Sequence, residues 1–133
     1  QFRFTPPTHV LFAFKQALIE LDAEGGTEGR MTRYQTNHQL LLKGMLALEF
    51  KPYLPKELQA CIITTFYNPR QPWFSFQALY QQLYNRGQVI YPGKLTHAAC
   101  FRIGNIGRIF AEDIHNFLSI FKEIISTMKR STS

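Results

Sequence analysis

The sequence predicts a small α/β (α+β) domain in which helices pack on a mainly antiparallel sheet. Three observations carry that expectation. Apolar residues recur at helical spacing in four separate stretches, a β-branched and aromatic run interrupts them at Cys61–Tyr67, and two further short strand-like runs follow before the last helix. At 133 residues and 45% hydrophobic content the chain is the size of one domain with a core of its own.

The first helix is read from Val10, Leu11, Phe14, Leu18 and Leu21 and closes at Gly25 and Gly26. Thr5 is its expected N-cap, because Pro6 forces the preceding residue out of the α region and proline is tolerated at the first helical position. A second helix is expected over residues 28–48 with Met31, Tyr34, Leu41, Met45 and Leu48 buried, the paired glycines making an αα-hairpin. Pro52 and Pro55 break the helical pattern, and the run Cys61–Tyr67 reads as a central strand.

NPRQPW is then a loop, and Phe76, Leu79, Tyr80 and Leu83 mark a third helix ending at Gly87. Val89–Tyr91 reads as a short strand, PGKLTHA as a loop, and CFRIG as the last strand. The final helix, over residues 111–128, buries Ile114, Phe117, Leu118, Phe121, Ile124 and Ile125, with Glu112 and Asp113 at its start where the helix dipole favours them. The expected order is ααβαββα.

The formal charge of +6 is dispersed, with no basic run longer than Lys129–Arg130, which suits a solvated surface and not a nucleic-acid stripe. Cys61 and Cys100 lie in apolar segments without CxxC or cysteine–histidine spacing; both are expected to be inert, in a reducing, cytoplasmic setting. No apolar run reaches the length of a membrane span, so no membrane partner is expected. The histidines, His9, His38, His97 and His115, have no paired ligand spacing, so no metal site is expected. Gly-rich cofactor fingerprints, a P-loop, HExxH and GxSxG are all absent.

Three groups stand out, and all suit anions. Arg102 interrupts an apolar strand ahead of Gly104 and Gly107, so it is either tied to an internal carboxylate or held ready for an anionic ligand, to which its fork offers two parallel hydrogen bonds. Gly104 and Gly107 allow a sharp turn or the close approach of a small molecule. Thr5 offers a hydroxyl at a helix start, and Lys94 a charge after Tyr91, Pro92 and Gly93; a helix cap and a solvated loop lysine are the plainer readings of these two.

FTPPTHV, EGG before an arginine-bearing helix start, VIYPGK and FRIGNIG together resemble, in order and over nearly the whole chain, the C-terminal part of the 2-aminoethylphosphonate–pyruvate aminotransferase family, class-V enzymes that use pyridoxal 5'-phosphate. TPPT and RIG are shared across class-V enzymes, whereas VIYPGK joined to FRIGNIG is narrower. The resemblance implies transfer of the amino group of 2-aminoethylphosphonate to pyruvate, giving phosphonoacetaldehyde and alanine in phosphonate catabolism by a cytoplasmic homodimer. It also implies that Arg102 binds the substrate carboxylate and that Thr5 reaches the cofactor phosphate of the neighbouring subunit, while Lys94 matches a family motif and is a candidate anion contact.

The same resemblance makes residues 1–133 a single C-terminal small domain, with residues 1–26 its leading segment and interface helix, and leaves the large cofactor-binding domain outside the chain. None of its lysines, Lys15, Lys43, Lys51, Lys56, Lys94, Lys122 and Lys129, falls in the family's Schiff-base motif, so the chain by itself is expected to be inactive. Two rival readings are another class-V aminotransferase and a stand-alone, non-catalytic anion-binding module. They divide on surface character: a domain that belongs against a partner exposes apolar area, and Phe2, Phe4, Phe12, Trp73 and Phe74 are the candidates for that face.

Overall fold

A computed structural model of the chain describes residues 3–95 and 98–131, the side chains of Lys94 and Leu95 excepted. It contains α1 (Thr8–Ala23), α2 (Gly26–Ala47), a 3₁₀ turn at Lys56–Leu58, β1 (Ile63–Tyr67), α3 (Phe76–Tyr84), β2 (Tyr91–Leu95), β3 (Ala98–Gly104) and α4 (Ala111–Arg130). This is the ααβαββα order expected from the sequence. The strands form an antiparallel sheet in the order β1-β3-β2. The chain divides into two compact units, Gln1–Arg33 and Tyr34–Ser133.

In the first unit α1 starts at Thr8, and its N-cap is Pro7 without a side-chain hydrogen bond, so Thr5 is not the cap expected of it. The cause is the second proline: Pro7 keeps Pro6 out of the α region just as Pro6 keeps Thr5 out, so no helical turn forms until both are passed. Every residue of α1 is at least partly exposed. Gly25, at φ +91°, makes the turn between the helices. Beside it, the Glu24 carboxylate accepts hydrogen bonds from Arg30, at 2.8 Å, and from Arg33. Met31, expected inside, is 48% exposed.

The second unit is built on one face of the sheet. Leu41 and Met45 of α2, Leu79 and Leu83 of α3, and Ile114, Phe117, Phe121, Ile124, Ile125 and Met128 of α4 pack with Phe66, Phe101 and Ile103 of the strands. Trp73 and Phe74, expected at an outer face, are half-buried against this core. Phe2 lies outside the described residues. The helix α4 starts with the Phe110 N–H donating to the Asp113 carboxylate at 2.9 Å, which satisfies one of the free amides of the chain entering the helix.

Two strand expectations are corrected. β3, not β1, is central; the far edge of β1 is covered by the segment before it, where the Tyr53 N–H donates to the Thr65 carbonyl at 2.8 Å and the Tyr67 N–H to that of Lys51 at 3.0 Å. β2 begins at Tyr91 and runs through PGKL, which was expected to be a loop. Pro92 donates nothing to a ladder, but β2 is an edge strand, where proline is tolerated.

The end of β3 is tied down by a buried asparagine. Asn105 is fully buried; its Nδ2 donates to the Cys61 carbonyl at 2.8 Å and its N–H to the Ile62 carbonyl at 2.9 Å. Asn37 of α2, also buried, donates to the Ile109 carbonyl at 2.8 Å, and the Gly107 N–H donates to the Tyr34 hydroxyl at 3.3 Å. The segment after β3 is thus held to α2 and to the approach to β1.

Asn105→Ala removes the buried hydrogen bond to the Cys61 carbonyl and is expected to destabilise the second unit by about 1–3 kcal/mol, read as a lowered urea midpoint. The two arginines beside Glu24 lower its carboxyl from 4.5 to about 2, so the ionised form stabilises the fold above pH 4.5 and the gain is lost as pH falls towards 2. The stability difference between the native chain and Glu24→Gln should therefore be full near neutral pH and close across that interval in acid denaturation.

Candidate functional site

Strand alternation divides β3 between two environments. Phe101 and Ile103 face the core, and Arg102 faces away from it and is exposed. The ladder sets Thr65 of β1 and Tyr91 of β2 directly across from Arg102, Tyr67 and Gly93 across from Cys100, and Ile63 across from Gly104. These positions make up the second face of the sheet, opposite the core. Ile63, Tyr67 and Tyr91 are all exposed there, and Tyr53 lies with its ring 5.3 Å from that of Tyr67. Around Arg102 the described residues of this face other than Thr65 are therefore aromatic and apolar.

Arg102 is not half of an internal ion pair. Its Nη2 donates to the Pro92 carbonyl at 3.2 Å, and among the described residues no carboxylate pairs with it. That one bond holds the side chain over β2 and leaves the remaining donors of the fork for another acceptor. The glycines nearby serve different ends. A Cβ at Gly104 would meet nothing closer than the Ile62 carbonyl at 3.9 Å, so the space beside Arg102 is open. A Cβ at Gly93 would come within 3.0 Å of the Cys100 carbonyl and 3.2 Å of its Cβ, so only glycine lets β2 pass Cys100 this closely. Gly107, at φ +96°, makes the turn after the strand.

Cys100 is buried on this face, and burial pushes its thiol up from the ordinary range, away from the thiolate that nucleophilic chemistry requires. Thr5 is exposed ahead of α1, and no hydrogen bond engages its hydroxyl among the described residues. It belongs to the first compact unit and Arg102 to the second. The backbone of Lys94 pairs with Ala99 in the hairpin, but its side chain lies outside the described residues, as does His97. Among the described residues no cluster of histidine, cysteine or acidic side chains suits a metal, and no helix is long and apolar enough to cross a membrane.

A cofactor that bonds to a lysine needs that amine in a desolvated pocket. Lys15, Lys43, Lys51, Lys56 and Lys122 are exposed, and Lys129 lies 5.1 Å over the Trp73 ring. None of the described lysine side chains is buried in a pocket. What the described part of this chain presents instead is an exposed arginine fork on a strand.

No protein-family model matches the chain. Over 125 residues, 94% of its length, it is 51% identical to 2-aminoethylphosphonate–pyruvate transaminase of Vibrio cholerae and spans 34% of that protein. The same-named protein of Syntrophobacter fumaroxidans is 52% identical over 92% of this chain and 33% of its own length. That of Salmonella heidelberg is 47% identical over 97% of this chain and 35% of its own. The chain thus spans about a third of the length of the curated relatives it matches, and the alignment falls on their C-terminal part. Among solved structures, alanine–glyoxylate aminotransferase from Nostoc sp. superposes with a TM-score of 0.82 at 19% identity, covering 94% of this chain and 33% of that one. Ureidoglycine–glyoxylate aminotransferase from Bacillus subtilis does so with a TM-score of 0.73 at 18% identity, covering 84% and 29%. These two likenesses establish the fold.

Proposed function

We propose that this chain, a homologue of the C-terminal third of 2-aminoethylphosphonate–pyruvate transaminases, is the small domain of an enzyme that moves the amino group of 2-aminoethylphosphonate to pyruvate. The products are phosphonoacetaldehyde and alanine. The observation that carries the reading is an identity near 50% along almost the entire chain, with Arg102 exposed on the open sheet face and its fork largely uncommitted.

In this reading Arg102 binds and orients the carboxylate of pyruvate or alanine, for which a planar fork is suited. Thr5 reaches the cofactor phosphate of the neighbouring subunit of a cytoplasmic homodimer, and Lys94 is an anion contact, the substrate phosphonate being one candidate. Pyridoxal 5'-phosphate, anchored by a lysine beyond this chain, supplies the electron sink for amino transfer. The share of the work that falls to these residues is binding and orientation.

The exposed apolar surface favours a part of a larger enzyme over a self-sufficient binding module. Phe4, Val10, Phe12 and Phe14 are 60–80% exposed within the first unit, as suits a segment that packs against another domain.

Two outcomes are expected. Mixed with pyridoxal 5'-phosphate and borohydride, the isolated chain should give no adduct on one specific lysine and, with both substrates, no alanine; a specific adduct together with alanine production overturns the reading. In the longer transaminase, Arg102→Lys keeps the charge but loses the fork, and should lower kcat/KM for pyruvate by about tenfold to a hundredfold while sparing the amine. Equal losses for both substrates count against the carboxylate role.

A further inference from the structure

Arg102 has one cross-strand neighbour on each side of the open sheet face, Thr65 on β1 and Tyr91 on β2. Directly opposed residues have Cβ atoms about 4.5–5.5 Å apart, so either is near enough to share a small ligand with the guanidinium. The bond from Nη2 to the Pro92 carbonyl separates them: it draws the fork over β2, to the side where Tyr91 stands and away from Thr65. Tyrosine and arginine are also of comparable reach, whereas the threonine hydroxyl stays close to the sheet. Tyr91 is 55% exposed, and its hydroxyl has no hydrogen-bond partner among the described residues. With no Cβ at Gly93, the neighbouring position on the same face of β2 adds no bulk beside it.

A carboxylate held by an arginine fork still has lone pairs directed away from that fork, and a phenol is the kind of donor that fills one of them. We propose that Tyr91 is a specificity-determining residue for the carboxylate substrate, its hydroxyl donating to the oxygens that Arg102 holds. The inference rests on the carboxylate reading of Arg102 and adds a second donor to it. A ligand without a carboxylate gains nothing from this pair.

The test uses the longer transaminase and three variants, Tyr91→Phe, Thr65→Val and Arg102→Lys, with KM for pyruvate and for the amine, kcat and the unfolding midpoint measured for each. Tyr91→Phe keeps the ring, so it should raise the pyruvate KM by about tenfold, the loss of one hydrogen bond to a charged group, with the amine KM, kcat and midpoint little changed. Thr65→Val should leave the pyruvate KM nearly as it was. If Arg102→Lys raises the pyruvate KM and Tyr91→Phe does not, this proposal falls and the carboxylate role of Arg102 stands. If Arg102→Lys spares pyruvate, both fall. A rise in both KM values with Tyr91→Phe, or equal effects of Tyr91→Phe and Thr65→Val, marks a general effect on the sheet and also overturns the proposal.

Discussion

The orientation of Arg102 depends on the burial of the residue before it. The Phe101 ring is surrounded by those of Phe50, Phe66, Phe74, Phe76 and Phe121, with centroids 5.8 to 6.5 Å away. Successive residues of a strand face opposite sides, so placing Phe101 among these rings sends Arg102 to the open face. A slip of one residue would exchange them, burying a guanidinium and exposing one of the largest side chains of the core, and the cost of both errors fixes the register. The same register sets Thr65 and Tyr91 across from the arginine. The position of the candidate site is therefore a consequence of core packing on the other side of the sheet.

The segment after β3 completes this arrangement. Asn105 anchors the strand end through the Cys61 and Ile62 carbonyls, while Asn37 and Tyr34 of α2 hold the chain that follows. Arg102 thus sits between Phe101, fixed by apolar packing, and Asn105, fixed by hydrogen bonds. A binding group on a strand secured at both ends loses little freedom when it takes a ligand, which is the physical value of preorganisation. In GNIG the roles are separate: Gly104 leaves space beside the arginine, Asn105 is the anchor, and Gly107 makes the turn.

Those parts of the fold that rest on local pattern were legible in the sequence. The 3.6-residue periodicity of α4, the β-branched run of β1 and the amphipathic spacing of α3 each state their own structure. Three features depended on partners remote in sequence and were misread. Pro92 and Gly93 look like a turn until β2 is known to be an edge; β1 looks central until β3 is seen between it and β2; and Trp73 and Phe74 look exposed in a proline-rich loop until the core is assembled around Phe101. The start of α1 was misplaced for a local reason, the effect of one proline on another. Within the site, Arg102 is conspicuous as a charge in an apolar run. Tyr91 is one aromatic among many, and only the ladder register gives it a relation to the arginine.

The first unit poses a different physical problem. α1 is a 16-residue helix that buries no residue, although Val10, Leu11, Phe14, Leu18 and Ile19 give it ample apolar surface. An isolated helix of that length is marginal in water, and most helical stability in proteins comes from packing an apolar face. Such a helix gains stability from a surface that receives it, and relatives about three times the length of this chain have additional polypeptide. Thr5 stands immediately before α1, joined to it by Pro6 and Pro7, whose restricted backbone transmits position with little slack. The surface that packs on α1 therefore also sets where the Thr5 hydroxyl lies. In the proposed reading the phosphate contact of Thr5 depends on docking of α1, whereas the geometry around Arg102 is already built into the sheet.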